Sequence, residues 1–274
     1  LRNKINNQIC KLFMNILNQI LSDKKREIIL KKSVVSAAQL ENSDLFSKPI
    51  LSIKKSLQNT QFGIIAEHKR RSPSRANFNQ SLSIEEIVRG YQAAEVGGIS
   101  VLTDSKYFGG SLEDLVLARA SVNIPILRKE FIIDEYQILE AKSSGADAVL
   151  LIASILSTKE VKTLSEFAKA LDLEVLLEVH NLQELEKSIM PSLDMIGVNN
   201  RNLDTFEINL ETSKQLSKLI PSEFLKISES GISSVKEVLE LQNFGFKAFL
   251  MGENFMKTTN PGEAAKKFLC DLRI

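Results

Sequence analysis

Cysteine is scarce in this sequence. The 274 residues contain only two cysteines, Cys10 and Cys270, at opposite ends of the chain. One distant pair cannot form the disulfide framework of a small secreted domain, and it lacks the spacing of a cysteine-based zinc site. We therefore expect a protein of the reducing cytoplasm.

Long hydrophobic runs are also missing, and neither sign of charge dominates. No stretch reaches the roughly 20 apolar residues of a membrane span, and asparagines and lysines interrupt the N-terminus too often for a secretory signal. Lys and Arg total 35 and Asp and Glu total 34, which gives a net charge of +1. A nucleic-acid-binding protein usually has a clear basic excess. We therefore expect neither a membrane nor a nucleic-acid partner.

The N-terminal segment combines positive charge with an apolar stripe. Residues 1–32 contain eight Lys or Arg and two Asp or Glu. Such a segment is compatible with a membrane surface or RNA, but the stripe favours a helix docked on the protein's own body. The first methionine is Met14, so we expect residues 1–13 to be an upstream extension. The apolar residues of the stripe are Leu12, Phe13, Ile16, Leu17, Ile20 and Leu21.

From residue 63 onward, eight short apolar runs alternate with helical patterns. Such runs are typical of parallel strands buried on both faces, and eight of them predict a (β/α)8 TIM barrel. A doubly wound sheet would have fewer units and a glycine-rich turn after its first strand. We predict an N-terminal helical extension over residues 1–60 and a barrel over residues 61–274, in one structural domain. The predicted strands begin near Ile64, Ile99, Pro125, Ala148, Glu174, Met195, Leu225 and Ala248, and the clearest helices cover 84–95, 159–171, 182–190 and 235–244.

Ionisable residues lie near the ends of the first and third predicted strands. Side chains alternate along a strand, and the carboxyl ends of barrel strands are where active sites form. Glu67 and Lys69 share one face, which predicts either a functional pair at the barrel mouth or a structural salt bridge, while His68 faces the helices. Lys129 lies between large apolar residues, so partial burial should lower its pKa and make it a general acid.

The fifth and sixth strands add an acid and two polar groups. Glu178 is the only carboxylate in residues 175–179, and it is predicted to be a general base, the counter-ion of Lys129, or both. His180 lies beyond the strand, and we assign it no role. Asn199 can orient a hydroxyl and Arg201 can grip a carboxylate, although Asn199 also suits a turn.

Glycines follow the seventh and eighth strands. Gly231 and Gly252 allow backbone N–H groups to approach a phosphate closely, and with Ser230 and Glu253 they predict a phosphate site. No nucleophilic Ser–His pair, His/Asp metal cluster or nucleotide-binding loop is recognisable. The spacing predicts a barrel enzyme with a phosphorylated, anionic substrate.

Several of these residues belong to longer motifs. Eight segments carry them: 64–74 (IIAEHKRRSPS), 100–104 (SVLTD), 106–111 (KYFGGS), 125–132 (PILRKEFI), 177–179 (LEV), 197–203 (GVNNRNL), 229–232 (ESGI) and 249–253 (FLMGE). In their order and spacing, from residue 14 to the C-terminus, the chain resembles the indole-3-glycerol phosphate synthase family.

This resemblance implies a carboxy-lyase of tryptophan biosynthesis. The substrate would be 1-(2-carboxyphenylamino)-1-deoxyribulose 5-phosphate, which closes to indole-3-glycerol phosphate with loss of carbon dioxide and water. The resemblance implies that this reaction needs no cofactor or metal. The resemblance implies that Lys129 is the acid for ring closure, and that Lys69 and Glu178 are the second acid and the base for loss of the hydroxyl. Glu67 would position Lys69, and Asn199 would hold the ribulose hydroxyls. Which lysine serves which step stays open.

The resemblance also implies substrate contacts. Ser72 would lie near the substrate carboxylate, and Arg201 would be a further polar contact. Phe108, Phe131 and Leu150 would wall the aromatic ring, although ordinary core packing explains Leu150 nearly as well.

The phosphate would be bound by the loops that follow the last two strands. Glu253 would contribute only its backbone N–H, because a carboxylate beside a phosphate is repulsive. The partner would be a small phosphorylated molecule, with a monomer or a weak homo-oligomer as the assembly. The phosphate-binding positions are Ser230, Gly231, Gly252 and Glu253.

Two alternatives remain at this point. A phosphoribosylanthranilate isomerase or another sugar-phosphate isomerase would share the barrel, but it needs neither both lysines, Lys69 and Lys129, nor a decarboxylation. A non-catalytic barrel that binds a partner or a phosphorylated ligand is the second alternative. The presence of all five predicted catalytic residues argues against it.

Overall fold

The strands form a closed barrel. The computed structural model describes residues 2–73, 77–79, 81–203 and 205–273, and for residues 2–15 it describes the backbone alone. Within these residues eight parallel strands pair in chain order, and β8 pairs with β1, so the fold is a TIM barrel and not a doubly wound sheet. The strands are β1 (Gly63–His68), β2 (Gly98–Leu102), β3 (Ile126–Lys129), β4 (Ala148–Ile152), β5 (Glu174–Val179), β6 (Met195–Asn199), β7 (Leu225–Glu229) and β8 (Ala248–Met251).

Helices precede the barrel and separate its strands. The three that precede β1 are α1 (Arg2–Val34), α2 (Ala37–Glu41) and α3 (Ile53–Gln58). The others described are α4 (Ile84–Ala93), α5 (Ser105–Phe108), α6 (Leu112–Ser121), α7 (Glu135–Ser143), α8 (Thr158–Ala170), α9 (Leu182–Ser188), α10 (Glu211–Ser217), α11 (Val235–Gln242), α12 (Glu253–Met256) and α13 (Pro261–Leu272).

The predicted strand and helix starts agree closely with the structure. Each strand begins within one residue of its predicted start, and the four predicted helices begin within one residue and end one or two residues early. Local chemistry fixes several starts. Ser83 and Glu86 form a reciprocal capping box at α4, as Ser157 and Glu160 do at α8. Each box satisfies backbone N–H groups that the first helical turn leaves unpaired.

Side chains alternate between the two sides of the barrel wall. Ile65 and Leu127 belong to an inner apolar cluster, whereas Ile64 and Ile126 pack in the outer layer beneath the helices. His68 is also buried, beside Arg70 and outside the barrel interior, as the alternation predicted. Because the interior is filled, an inward-facing charge needs a partner there.

Helix α3 closes the N-terminal end of the barrel. Ile53 and Leu57 are fully buried in the inner cluster. Ser52 bonds the Glu174 carboxylate, which also accepts the Lys54 backbone N–H at 2.9 Å, so the helix start is tied to the beginning of β5. A methyl group on Gly98 would lie 2.8 Å from Ile53 Cδ1, so glycine leaves room for this helix at β2.

Helix α1 lies across the opposite end, at the barrel mouth. Ile16, Leu17 and Ile20 line the cavity there, which confirms docking on the protein's own body for the part of the stripe that is described. Leu12 and Phe13 lie outside the described side chains. No helix in the described ranges is long and apolar enough to cross a bilayer.

Candidate active site

A cavity of about 220 Å³ lies at the C-terminal ends of the strands. Its wall includes every residue that the sequence predicted for catalysis, for substrate binding and for phosphate binding. The structure therefore brings all of these positions together around one cavity. They are Glu67, Lys69, Ser72, Phe108, Lys129, Phe131, Leu150, Glu178, Asn199, Arg201, Ser230, Gly231, Gly252 and Glu253.

The first ion pair lies at the end of β1. Lys69 Nζ is 3.0 Å from Glu67 Oε1 and 5.3 Å from the centre of the Phe78 ring. Both charged side chains are largely buried, at 16% and 7% exposed respectively. A methyl group on Gly252 would come within 2.6 Å of Glu67 Oε1, so the glycine after β8 leaves space for the pair. The predicted Glu–Lys pair at the mouth is present.

Lys129 projects from the end of β3 into a cluster of carboxylates. Its Nζ lies 2.7 Å from Glu178 Oε2 and 2.7 Å from Glu229 Oε2. Burial alone would lower the pKa of Lys129, but the charges of these two carboxylates outweigh burial and raise it. The predicted lowering of this pKa is therefore wrong. Lys129 is held as an ammonium ion that can donate a proton.

Glu178 is bound at both oxygens. Oε2 pairs with Lys129, while Oε1 accepts a hydrogen bond of 3.1 Å from Asn199 Nδ2 and lies 3.3 Å from His180 Nε2. Burial would raise the pKa of Glu178, but Lys129 and His180 outweigh it and hold the pKa well below its usual range. The predicted counter-ion of Lys129 is confirmed, and the carboxylate stays ionised.

Glu229 is a cavity residue that the sequence analysis did not assign. It ends β7 on the same face as Leu225 and Ile227, so the alternation that identified Glu178 also pointed to it. Burial raises the pKa of Glu229 to about 7, Glu178 adds to the increase, and Lys129 opposes it. A methyl group on Gly197 would collide with Glu229 Oε1, so the glycine in β6 makes room for this side chain.

His180 is the second missed residue. Its ring lies between Glu178 and Glu184, 3.1 Å from Glu184 Oε2 through Nδ1. The sequence placed it just past β5 and gave it no role, yet it continues the inward face of Leu176 and Glu178. The side-chain alternation along β5 could therefore have predicted that His180 contacts Glu178.

An aromatic wall borders the charged cluster. The Phe108 and Phe131 rings are tilted at 45° with centroids 6.0 Å apart. Asp104 fixes Phe108, because its carboxylate accepts the Tyr107 and Phe108 backbone N–H groups at the start of α5. Leu150 lies at the cavity wall and also in the inner core cluster, so both predicted roles describe its position.

The loops after β7 and β8 form the other side of the cavity. Ser230 and Gly231 have φ angles of 65° and 77°, the left-handed conformation that non-glycine residues adopt rarely. A Cβ on Gly231 would collide with Ile208, so glycine is required there. Arg201 donates to the Phe206 carbonyl at 3.2 Å, and its Nη2 lies 3.8 Å from Glu253 Oε2. Glu253 is the first residue of α12, with its side chain about half exposed.

The chemistry of the cavity is that of proton transfer on an anionic, aromatic substrate. It offers two ammonium groups, buried carboxylates with shifted pKa values and an aromatic wall. Among the described residues, no group of three or more His, Cys, Asp or Glu is arranged to hold a metal ion.

Comparison with solved structures supports the architecture. A Streptococcus mutans protein designated KGPDC superposes with a TM-score of 0.59, covering 78% of this chain and 98% of that chain at 12% identity. At this identity the likeness shows the barrel fold alone.

Sequence comparison is more specific. A protein from Bacteroides thetaiotaomicron named indole-3-glycerol phosphate synthase is 48% identical over 255 residues, 93% of this chain and 98% of the relative. A protein of the same name from Aliarcobacter butzleri is 40% identical over 257 residues, 92% of this chain and 98% of the relative. The family model described as indole-3-glycerol phosphate synthase matches residues 17–268. The chain therefore belongs to the indole-3-glycerol phosphate synthase family.

Proposed function

We propose that this protein converts 1-(2-carboxyphenylamino)-1-deoxyribulose 5-phosphate to indole-3-glycerol phosphate, as a carboxy-lyase of tryptophan biosynthesis. The observation that carries the proposal is the buried cluster of Lys129, Glu178 and Glu229. It lies beside the Glu67–Lys69 pair in a cavity with an aromatic wall. The relatives from Bacteroides thetaiotaomicron and Aliarcobacter butzleri are both named indole-3-glycerol phosphate synthase, after this reaction.

Lys129 is the acid for ring closure in this proposal. The aromatic carbon that bears the carboxylate attacks the ketone carbon, and the ketone oxygen takes a proton from the ammonium group. The raised pKa keeps Lys129 protonated before this step, and its two carboxylate partners fix the direction of Nζ. Loss of carbon dioxide then returns the bonding electrons to the ring and restores its aromaticity.

Glu178 and Lys69 complete the reaction. Lys69 protonates the leaving hydroxyl, while Glu178 takes a proton from the newly formed ring. The low pKa of Glu178 depends on the charge of Lys129. Once Lys129 has given up its proton, this cation is gone, and the pKa of Glu178 rises. Proton transfer in the first step therefore makes Glu178 a stronger base for the second.

The cavity wall supplies the substrate contacts. In the proposal the carboxyphenyl ring packs against Phe108, Phe131 and Leu150, and its carboxylate lies near Ser72 and Lys69. The ribulose hydroxyls meet Asn199 and Arg201. The phosphate binds at the loops after the last two strands, at Ser230, Gly231, Gly252 and the backbone N–H of Glu253.

Every proton transfer in this scheme is assigned to a side chain, so we propose that no metal or cofactor takes part. We also propose that the chain is one structural domain, acts in the cytoplasm on a small phosphorylated molecule as a monomer or weak homo-oligomer, and binds neither nucleic acid nor a membrane.

Indole fluorescence provides the direct test. The sequence contains no tryptophan, so a newly formed indole would stand out against weak tyrosine emission. The purified protein would be incubated with the carboxyphenylamino-deoxyribulose phosphate in the presence of EDTA. Indole emission that rises together with carbon dioxide release is expected. Binding without product would instead support a non-catalytic barrel, and absence of both would reject the substrate.

Two variants test the assigned roles. Lys129→Ala and Glu178→Gln should each lower turnover by at least ~10²-fold, the usual effect of removing a general acid or base. Glu174→Gln is the matched control, because Glu174 lies on the same strand but bonds Ser52 at the opposite end of the barrel. Turnover near that of the control in either variant would reject the role of that residue.

A further inference from the structure

His180 is enclosed by two carboxylates. Nε2 lies 3.3 Å from Glu178 Oε1, and Nδ1 lies 3.1 Å from Glu184 Oε2. The His180 backbone N–H also donates to Glu184 Oε2 at 2.8 Å, which ties the start of α9 to the end of β5. The ring is 9% exposed. Nδ1 is thus hydrogen-bonded to Glu184, while Nε2 is buried and lies at ion-pair distance from Glu178 without forming a hydrogen bond.

Charge from the surrounding elements favours the imidazolium ion. The groups that face the ring are Glu178 on β5 and Glu184 on α9, with Lys129 of β3 and Glu229 of β7 beyond Glu178. Burial would lower the pKa of His180, but its contacts with Glu178 and Glu184 outweigh burial and raise it to about 9. At neutral pH the ring then carries a proton on both nitrogens.

We propose that His180 is a positioning residue for Glu178, and that Glu184 in turn holds His180. The inference deepens the proposed function, because Glu178 is the base in that scheme. Lys129 holds one oxygen of Glu178, whereas His180 and Asn199 hold the other. Because Asn199 and the charge of His180 still contact Oε1, the carboxylate keeps its orientation when Lys129 becomes neutral. His180 thus keeps Glu178 ionised and in a fixed orientation until Glu178 accepts its proton.

The pH dependence of activity follows from this arrangement. A nearby cation lowers the pKa of a carboxylate by roughly one unit or more. In His180→Asn the cation is lost, so the pKa of Glu178 should rise and the acidic limb of the kcat/KM profile should move up by about one pH unit. The fall in kcat should stay below the ~10²-fold expected for losing the base itself. A purely structural defect would lower kcat/KM at every pH without shifting the acidic limb of the profile.

The control is His68→Asn. His68 is also largely buried but lies outside the barrel interior, and it is the only other histidine in the sequence. Its variant should keep the wild-type pH profile. A His180→Asn profile that superimposes on the profiles of the wild type and of His68→Asn would overturn the inference.

Nuclear magnetic resonance supplies a readout that does not need activity. Two histidines give two ring signals, and His68→Asn assigns them. We expect the His180 signal to titrate near 9, and to titrate lower in both Glu184→Gln and Glu178→Gln, because each removes an anion from one side of the ring. A wild-type titration near the ordinary 6.5 would overturn the inference.

The two experiments separate the inference from the proposed function. If wild type forms no indole product, the proposed function fails, and the titration alone decides whether His180 holds Glu178. In that case an unchanged His180 titration in Glu178→Gln would overturn the inference, whereas a lowered one would support the contact. If wild type is active, the inference requires both results: a shifted acidic limb in His180→Asn and a His180 signal that titrates near 9 in wild type.

Discussion

At the residue scale, the charged groups of the cavity determine one another's protonation. Glu178 and Glu229 share the ammonium group of Lys129, yet the pKa of Glu178 is lowered while that of Glu229 is raised to about 7. The difference follows from the remaining partners, since Glu178 also meets His180 and Glu229 does not. Glu229 is therefore the carboxyl group of this cluster that changes charge near neutral pH.

This property predicts a pH dependence of stability. The pKa of Glu229 in the fold, about 7, exceeds its ordinary value of 4.5, so the fold favours the protonated form. That contribution is complete below about 4.5 and is lost as the pH rises through about 7. Glu229→Gln imitates the protonated form at every pH. We therefore expect wild type to lose stability relative to this variant between those values, measured as free energy of unfolding in urea.

The control for this experiment is Glu223→Gln, because Glu223 is exposed. Its unfolding free energy should follow that of wild type at every pH. If the curves of wild type and Glu229→Gln run parallel instead, the raised pKa of Glu229 is contradicted.

Strand alternation alone predicted much of the site, and its failures have physical causes. It identified Glu67, Lys69 and Glu178, because each interrupts an apolar inward face. Glu229 followed the same rule, but only the serine and glycine that follow it were assigned a function, as part of the phosphate site. The predicted pKa shift of Lys129 had the wrong sign because its partners lie 49 and 100 residues away in the chain. Burial is visible in a local pattern, whereas charge partners depend on the closed barrel.

At the element scale, a buried lysine helps to attach α1 to the barrel mouth. Lys24 Nζ lies 3.0 Å from Asp104 Oδ2 and 3.1 Å from Glu130 Oε1, with all three side chains almost fully buried. Burial would lower the pKa of Lys24, but these carboxylates outweigh it and raise the pKa. Asp104 in turn fixes α5 and its Phe108. The first helix therefore supports the aromatic wall of the cavity.

Replacing this lysine should cost both stability and substrate affinity. Lys24→Met leaves two buried carboxylates without their cation, which typically costs about 3–5 kcal/mol of unfolding free energy. Displacement of Phe108 should also raise KM more than it lowers kcat. Chemical unfolding and steady-state kinetics measure the two effects. Lys25→Met, at an exposed neighbouring position, should change neither, and equal values for both variants would contradict the role of Lys24.

Helix α3 yields a second prediction at this scale. Leu57 is fully buried in the inner cluster, and Leu→Ala at such a site costs about 2–5 kcal/mol. Leu51→Ala is the control, because Leu51 is 39% exposed. Urea unfolding should show a clear loss for Leu57→Ala and a small one for Leu51→Ala. Similar losses for the two variants would mean that α3 is not part of the core.

The elements differ in how well a sequence pattern can reveal them. The strands were predicted because two buried faces require continuous apolar runs. The region before the barrel was predicted only as a helical extension over residues 1–60, and the described part of it contains three separate helices. Helices α2 and α3 have five and six residues, which is too short for a helical period to be visible. Both helices have side-chain caps, and their tertiary contacts are with distant elements, α7 for α2 and the strands β1 and β2 for α3.

At the scale of the whole molecule, the cavity depends on the complete barrel. Every strand contributes a residue to its wall, so binding at the site stabilises the closed sheet as a unit. The contributing residues, from β1 to β8, are Glu67, Leu102, Lys129, Leu150, Glu178, Asn199, Glu229 and Met251.

Substrate binding should therefore raise the thermal midpoint of the entire protein. Glu178→Gln allows the measurement because it should bind substrate but turn it over at least ~10²-fold more slowly than wild type. At 100 times Kd the gain is about 2.7 kcal/mol, which is roughly 5–10 °C for a protein of this size. Calorimetry should show one shifted transition, and anthranilate, which lacks the sugar phosphate, should shift it less. No shift at saturating substrate would contradict a site built from all the strands.

Because α3 fills the N-terminal end of the barrel, it limits how substrate can enter the active site and how products can leave. With Ile53 and Leu57 packed inside that end, the passage for all molecules is the mouth beside α1. Substrate enters there, and carbon dioxide, water and product depart by the same route. A new substrate molecule cannot follow until the previous product has left. The indole product should thus be a competitive inhibitor, and the rate at which it clears the mouth sets an upper limit on turnover.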